Sequence, residues 1–125
     1  MLEQVPSQRP VLGLDADDTL WENEAQFYAA QSGFCELMLP WADRETTDAA
    51  LLTNDRTAVA RYGYGVKGFM LSMIRAAIQL TSGTVTATQI DQIMALGDEI
   101  LDTPVELLPG VRKTLEELST RYRLL

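Results

Sequence analysis

Residues 10 to 20 read Pro-Val-Leu-Gly-Leu-Asp-Ala-Asp-Asp-Thr-Leu, a short apolar run that ends abruptly in three carboxylates and a threonine. Val11, Leu12 and Leu14 lack the polar alternation of a half-exposed strand, as expected of a strand in a parallel sheet covered on both faces. Such a strand ends at Asp15, and in open α/β sheets ligands bind in the crevice beyond the carboxyl ends of the strands. Asp15 and Asp17 stand two residues apart on an extended segment and so lie on the same side of the chain. Both carboxylates can then converge on one small, highly charged object.

Two carboxylates that close repel each other unless a cation neutralises them. Magnesium takes one or two carboxylates together with water and phosphate oxygens, which suits so sparse a donor set. An EF-hand loop does not fit. Counted from Asp15, its sixth position is Leu20 where glycine is needed, and its twelfth is Gln26 where the bidentate glutamate belongs. The structural alternative is an acidic turn in which Asp17 or Asp18 caps the following helix.

The string Leu-Gly-Leu-Asp15-Ala16-Asp17-Asp18-Thr19-Leu20 resembles the first motif of the haloacid dehalogenase superfamily, an apolar strand followed by Asp-x-Asp-x-Thr-Leu. Its place near the N-terminus is also similar, and the aspartate two residues after the first is the phosphatase form, which the dehalogenases themselves lack. The resemblance implies an α/β fold, a partial Rossmann-like core of parallel strands with a mainly α-helical cap inserted in it. It also implies that Asp15 is the nucleophile and Asp17 the general acid and base. Mg2+ would be held by the Asp15 carboxylate and the Asp17 backbone carbonyl.

After Leu20 the pattern turns helical. Glu22 to Leu39 is the first such segment, with a possible break at Gly33, and Pro40 ends it. Asp43 is the expected N-cap of a second stretch running irregularly to Tyr62, with Thr53-Asn54-Asp55 a candidate interruption. A third stretch, strong from Met70, carries Met70, Met73, Ile74, Ala77 and Ile78 as one apolar stripe, and Ser82-Gly83-Thr84 breaks it. Thr86 with Gln89 forms a capping box for a fourth, whose stripe is Ile90, Ile93, Met94, Gly97 and Leu101 and which Pro104 closes. Four such stretches with short connections suggest a small antiparallel bundle. Pro109-Gly110 opens a further amphipathic helix with Val111, Leu115 and Leu118 inward, and a second strand begins near Tyr122.

Gly63, Gly65 and Gly68 formally match the dinucleotide fingerprint Gly-x-Gly-x-x-Gly. A fingerprint must follow a strand inside a βαβ unit, whereas this one follows a helical stretch, so a tight interhelical loop with positive φ at its glycines is the expected form. Lys67 and Arg61, beside a helix N-terminus, are candidate contacts for an anionic substrate.

Ten basic against eighteen acidic residues give a formal charge of −8, which repels nucleic acid and anionic membrane but leaves a small phosphorylated substrate admissible inside a cleft. Cys35 is the single cysteine and histidine is absent, which excludes intramolecular disulfides, Cys/His zinc sites and serine or cysteine nucleophiles with a histidine base. The first residues lack the apolar core of a signal peptide, so a cytoplasmic protein is expected.

The helical block after the first motif is also similar to the branch of the superfamily whose cap is inserted there, and Leu107-Leu108-Pro109-Gly110-Val111 resembles the return to the core. The expected organisation is thus 1–20 as the first part of the core, 21–104 as the helical cap and 105–125 as the return. A full member continues with a serine or threonine, a lysine and an acidic pair, so this 125-residue chain is expected to be the N-terminal portion and inactive alone. The expected function is a Mg2+-dependent phosphatase acting through an aspartyl-phosphate, with a homo-oligomer as one way of covering sheet edges. The alternative is a non-catalytic helical module for binding or oligomerisation, with a vestigial acidic metal site.

Overall fold

The computed structural model describes residues 8–125. Its elements run β1 (Val11–Leu12), α1 (Glu24–Met38), α2 (Arg44–Tyr62), α3 (Val66–Leu80), α4 (Ala87–Asp102), α5 (Val111–Ser119) and β2 (Arg123–Leu124). They form two compact units, one comprising the residues up to Asn23 together with Pro104–Leu125, the other Glu24–Thr103. The sequence expectation for residues 1–7 lies outside the described residues.

In the first unit β1 and β2 pair in parallel, Val11 opposite Arg123 and Leu12 opposite Leu124. Backbone hydrogen bonds extend the ladder at both ends, from Arg123 N to Pro10 O at 2.9 Å and from Leu14 N to Leu125 O at 2.9 Å. The strand reading of Val11 to Leu14 and its parallel partner near the C-terminal end are therefore correct, whereas the expected cover on both faces is not seen among the described residues, Val11 being exposed and Leu12 and Leu14 half-buried. α5 leads into β2. Gly110 takes the left-handed φ of 82° at its start, and Val111, Leu115 and Leu118 form its half-buried face. The Arg9 guanidinium donates to Ser119 O at 2.7 Å, satisfying a carbonyl that the end of α5 leaves without a helical partner.

The second unit is all helical and holds the core. Phe34, Met38, Met73 and Ile93 are fully buried, and Phe27 meets Phe69 edge-on with ring centroids 5.3 Å apart. Asp43 caps α2 by accepting from Thr46 N at 2.8 Å, and Thr86 and Gln89 form the reciprocal capping box of α4. α1 and α2 are tied by polar contacts: Asp48 accepts from Gln31 Nε2 at 2.8 Å and from Cys35 Sγ at 3.1 Å, while Arg44 donates to Ser32 Oγ at 2.8 Å.

Three local expectations need correction. α1 runs unbroken through Gly33. A Cβ there would lie 2.8 Å from Leu96 Cδ2, so the glycine admits α4 and does not hinge α1. α2 also runs unbroken through Thr53-Asn54-Asp55, because Thr53 Oγ1 donates to Ala49 O at 3.0 Å and Asn54 Nδ2 to Ala50 O at 2.8 Å, folding both side chains onto the preceding turn. The buried face of α3 is Phe69, Met73, Ala76 and Ala77, and that of α4 is Ile93, Gly97 and Ile100. Ile78, Met94 and Leu101, expected inward, are 46%, 42% and 59% exposed. Met70 of α3 packs directly on Gly97 of α4, where a Cβ would collide with Met70 Cγ, so the glycine sets where the two helices meet and which of their apolar residues turn inward. Among the described residues no helix is long and apolar enough to cross a membrane.

Candidate functional site

Asp15 follows directly on the last residue that the sheet holds, Leu14. The chain then turns tightly, with Ala16 O accepting from both Thr19 N at 3.1 Å and Leu20 N at 2.8 Å. Asp18 completes the turn at a φ of 56°, a left-handed conformation that aspartate tolerates better than most residues. Leu20 O then accepts from Leu108 N at 2.8 Å, and Trp21 pairs antiparallel with Leu107, so both ends of the turn are fixed to backbone of the same unit. Asp15, Asp17 and Asp18 are exposed on this loop.

Each carboxylate has a different protein donor. The Thr19 hydroxyl donates to Asp15 Oδ2, the Trp21 indole Nε1–H donates to Asp17 Oδ1 at 2.9 Å, and Asn23 N donates to Asp18 Oδ1 at 2.9 Å. Asp18 therefore organises the backbone just ahead of α1, through an N–H that precedes the helix. Asp15 and Asp17 are held by side chains. Three like charges on one short loop repel, and a bound cation or cationic donors offset that repulsion.

Oxygen is the only donor type the loop offers, which is the chemistry of a hard divalent cation. Among the described residues no three carboxylate or thiol side chains stand together as a complete protein cage. One carboxylate and a backbone carbonyl on one turn, Asp15 and Asp17, fit the sparse arrangement in which magnesium keeps water and substrate oxygens for the rest of its shell.

Arg61 and Lys67 belong to the helical unit, at the last turn of α2 and the first turn of α3. The loop between them takes positive φ at Gly63 (78°) and Gly65 (135°), as expected of an interhelical connection, while Gly68 is buried within α3 with a Cβ position 3.4 Å from Gly63 O. The dinucleotide spacing is thus a loop and a helix contact with no preceding strand. Arg61 lies 5.9 Å from the Tyr62 ring centroid. Lys67 lines a surface hollow of about 460 Å³ with Tyr62, Tyr64, Leu71 and Leu101.

The sequence string does not mark Thr19 or Trp21 as the partners of the two carboxylates. The signal for both is spacing. On a tight turn, residues four apart face one another, as Asp15 with Thr19 and Asp17 with Trp21 do.

No family model and no curated protein matches the sequence. Among solved structures the chain is similar to a haloacid dehalogenase-like family hydrolase from Xanthomonas campestris, with a TM-score of 0.81 and 32% sequence identity over 97% of this chain and 51% of that one. The chain spans about half the length of that hydrolase.

Proposed function

Because this chain belongs to the haloacid dehalogenase superfamily of hydrolases, we propose that its protein is a magnesium-dependent phosphoric monoester hydrolase, acting in the cytoplasm on a small phosphorylated metabolite. The observation that carries the reading is the pair Asp15 and Asp17 on the loop after β1, each exposed and each held through one oxygen by its own donor. Two carboxylates with separate supports suit two separate roles.

In the first step a carboxylate oxygen of Asp15 attacks phosphorus. The ester P–O bond breaks, and the departing alkoxide takes the proton of the Asp17 carboxyl. In the second, water attacks the phosphorus of the aspartyl-phosphate and gives a proton to the Asp17 carboxylate. Inorganic phosphate leaves and Asp15 is restored. Mg2+, held by the Asp15 carboxylate and the Asp17 backbone carbonyl, would offset the charge between nucleophile and phosphate. Thr19 fixes the Asp15 side chain from its Oδ2. Lys67 and Arg61 are the candidate cationic contacts of the helical unit for the substrate. With a formal charge of −8, neither nucleic acid nor an anionic membrane is a natural partner. A second copy pairing along the open edges of the two-stranded sheet would be.

The test is magnesium-dependent hydrolysis of 4-nitrophenyl phosphate by the full protein. Asp15→Asn should abolish it, and near-normal turnover by that variant would remove the nucleophile and the reading with it.

A further inference from the structure

The proposed chemistry leaves open what aims the Asp17 carboxyl, and the loop answers with one residue. Trp21 is half-buried, and its backbone is fixed by the bridge to Leu107 and by the neighbouring hydrogen bond from Leu108 N to Leu20 O. Its indole N–H reaches Asp17 Oδ1 at 2.9 Å. Among the described residues no donor is directed at Asp17 Oδ2. Indole is a donor only, and in a protonated carboxyl the stronger acceptor is the carbonyl oxygen. The indole therefore occupies Oδ1 and leaves Oδ2 as the oxygen without a protein donor. It also restricts the side chain, because a carboxylate held at one oxygen by a fixed partner cannot sweep its rotamers freely.

We propose that Trp21 is a positioning residue for the general acid, fixing Asp17 through Oδ1 so that Oδ2 is the oxygen turned to the leaving group. It touches neither substrate nor the reacting atoms. The inference rests on the phosphatase reading and adds to it a specific consequence. General acid catalysis matters in proportion to the basicity of the leaving group, so misplacing the acid slows release of an alkoxide far more than release of a nitrophenolate. Damage to the fold alone slows both alike.

Two measurements test this. In Trp41→Phe, which leaves Trp21 as the single tryptophan of these 125 residues, the indole proton resonance assigned to Trp21 should move when Asp17→Ala is added. No movement would mean that the contact is absent and would overturn the proposal without any change at Trp21. In the full protein, kcat/KM reports the steps up to departure of the leaving group. Trp21→Phe keeps the ring and deletes the donor, and it should lower kcat/KM about tenfold on propyl phosphate but less than about twofold on 4-nitrophenyl phosphate. Asp17→Asn should show the same split, enlarged. With Asp15→Asn inactive and the Asp17→Asn split present, an equal loss on both esters in Trp21→Phe, or no loss on either, sinks the Trp21 assignment alone. Retained activity in Asp15→Asn sinks the phosphatase reading and this inference together.

Discussion

The two units divide the work of the chain unequally. Every buried residue among those described lies in the helical unit, while the unit with β1, α5 and β2 has only half-buried and exposed side chains. The three-aspartate loop sits on the second of these. A helix bundle buries apolar side chains on several faces at once and can stand on its own contacts. The described strands β1 and β2 with α5 are one part of a core in a chain that spans about half the length of the similar hydrolase. Among the described residues burial is thus concentrated where the acidic motif is absent, and the motif is fixed by backbone and side-chain hydrogen bonds. Its aspartates can accordingly be altered with little effect on the bundle, and the bundle can be weakened without touching a carboxylate.

That contrast predicts a graded set of outcomes. The largest is on activity: Asp15→Asn should lower turnover of 4-nitrophenyl phosphate on the order of a thousandfold or more, with the thermal transition of the helical unit unchanged. A fall in both would show that loop and bundle are not separable. Next is core truncation. Phe34→Ala removes a fully buried ring and should destabilise the helical unit by about 3–5 kcal/mol, whereas Leu124→Ala in half-buried β2 should cost about 1 kcal/mol. Urea unfolding followed by circular dichroism reads both, and equal losses would contradict the asymmetry. Thr86→Ala deletes the capping-box acceptor of α4 and should cost about 1 kcal/mol in the same experiment.

The smallest effect depends on pH. Burial, followed by the hydrogen bond to Asp48 and that carboxylate's charge, pushes the Cys35 thiol from its ordinary 9.0 up to about 11. The unfolded thiol ionises first, so this contribution is full below pH 9 and is lost as pH rises toward about 11. Cys35→Ala should flatten that alkaline slope in pH-dependent unfolding, and an unchanged slope would remove the thiol as its source. Asp48 has the opposite sign. The hydrogen bond from Gln31 first, then that from Cys35 and the charge of Arg44, hold its carboxyl below the usual carboxylate range, so its contribution is present at neutral pH and is lost as pH falls through the folded value.

Local chemistry was legible in the sequence wherever one residue decides the outcome. Asp43 caps α2, Thr86 and Gln89 box α4, and Gly63 and Gly65 adopt the positive φ of an interhelical loop. The strand before Asp15 and its parallel partner were legible too, because a continuous apolar run followed by a helix and a second run admits few topologies. Features set by contact between elements were not. The inward faces of α3 and α4 depend on Met70 packing on Gly97, a fit between two helices that the apolar pattern of either one does not show. Gly33 likewise looks like a break until Leu96 is seen against it. In the loop, Asp15 and Asp17 stood out as a string, but their donors Thr19 and Trp21 emerge only once the turn brings residues four apart together.

The central claim is that the carboxylate at the end of β1 is the covalent nucleophile. The most direct measurement is mass spectrometry of the full protein, acid-quenched during turnover of 4-nitrophenyl phosphate with magnesium and digested. The account predicts a phosphoryl group on the peptide containing Asp15, at that side chain, and its absence in Asp15→Asn. Sustained turnover with no phosphorylated peptide, or with the phosphoryl group on a different residue, would contradict it.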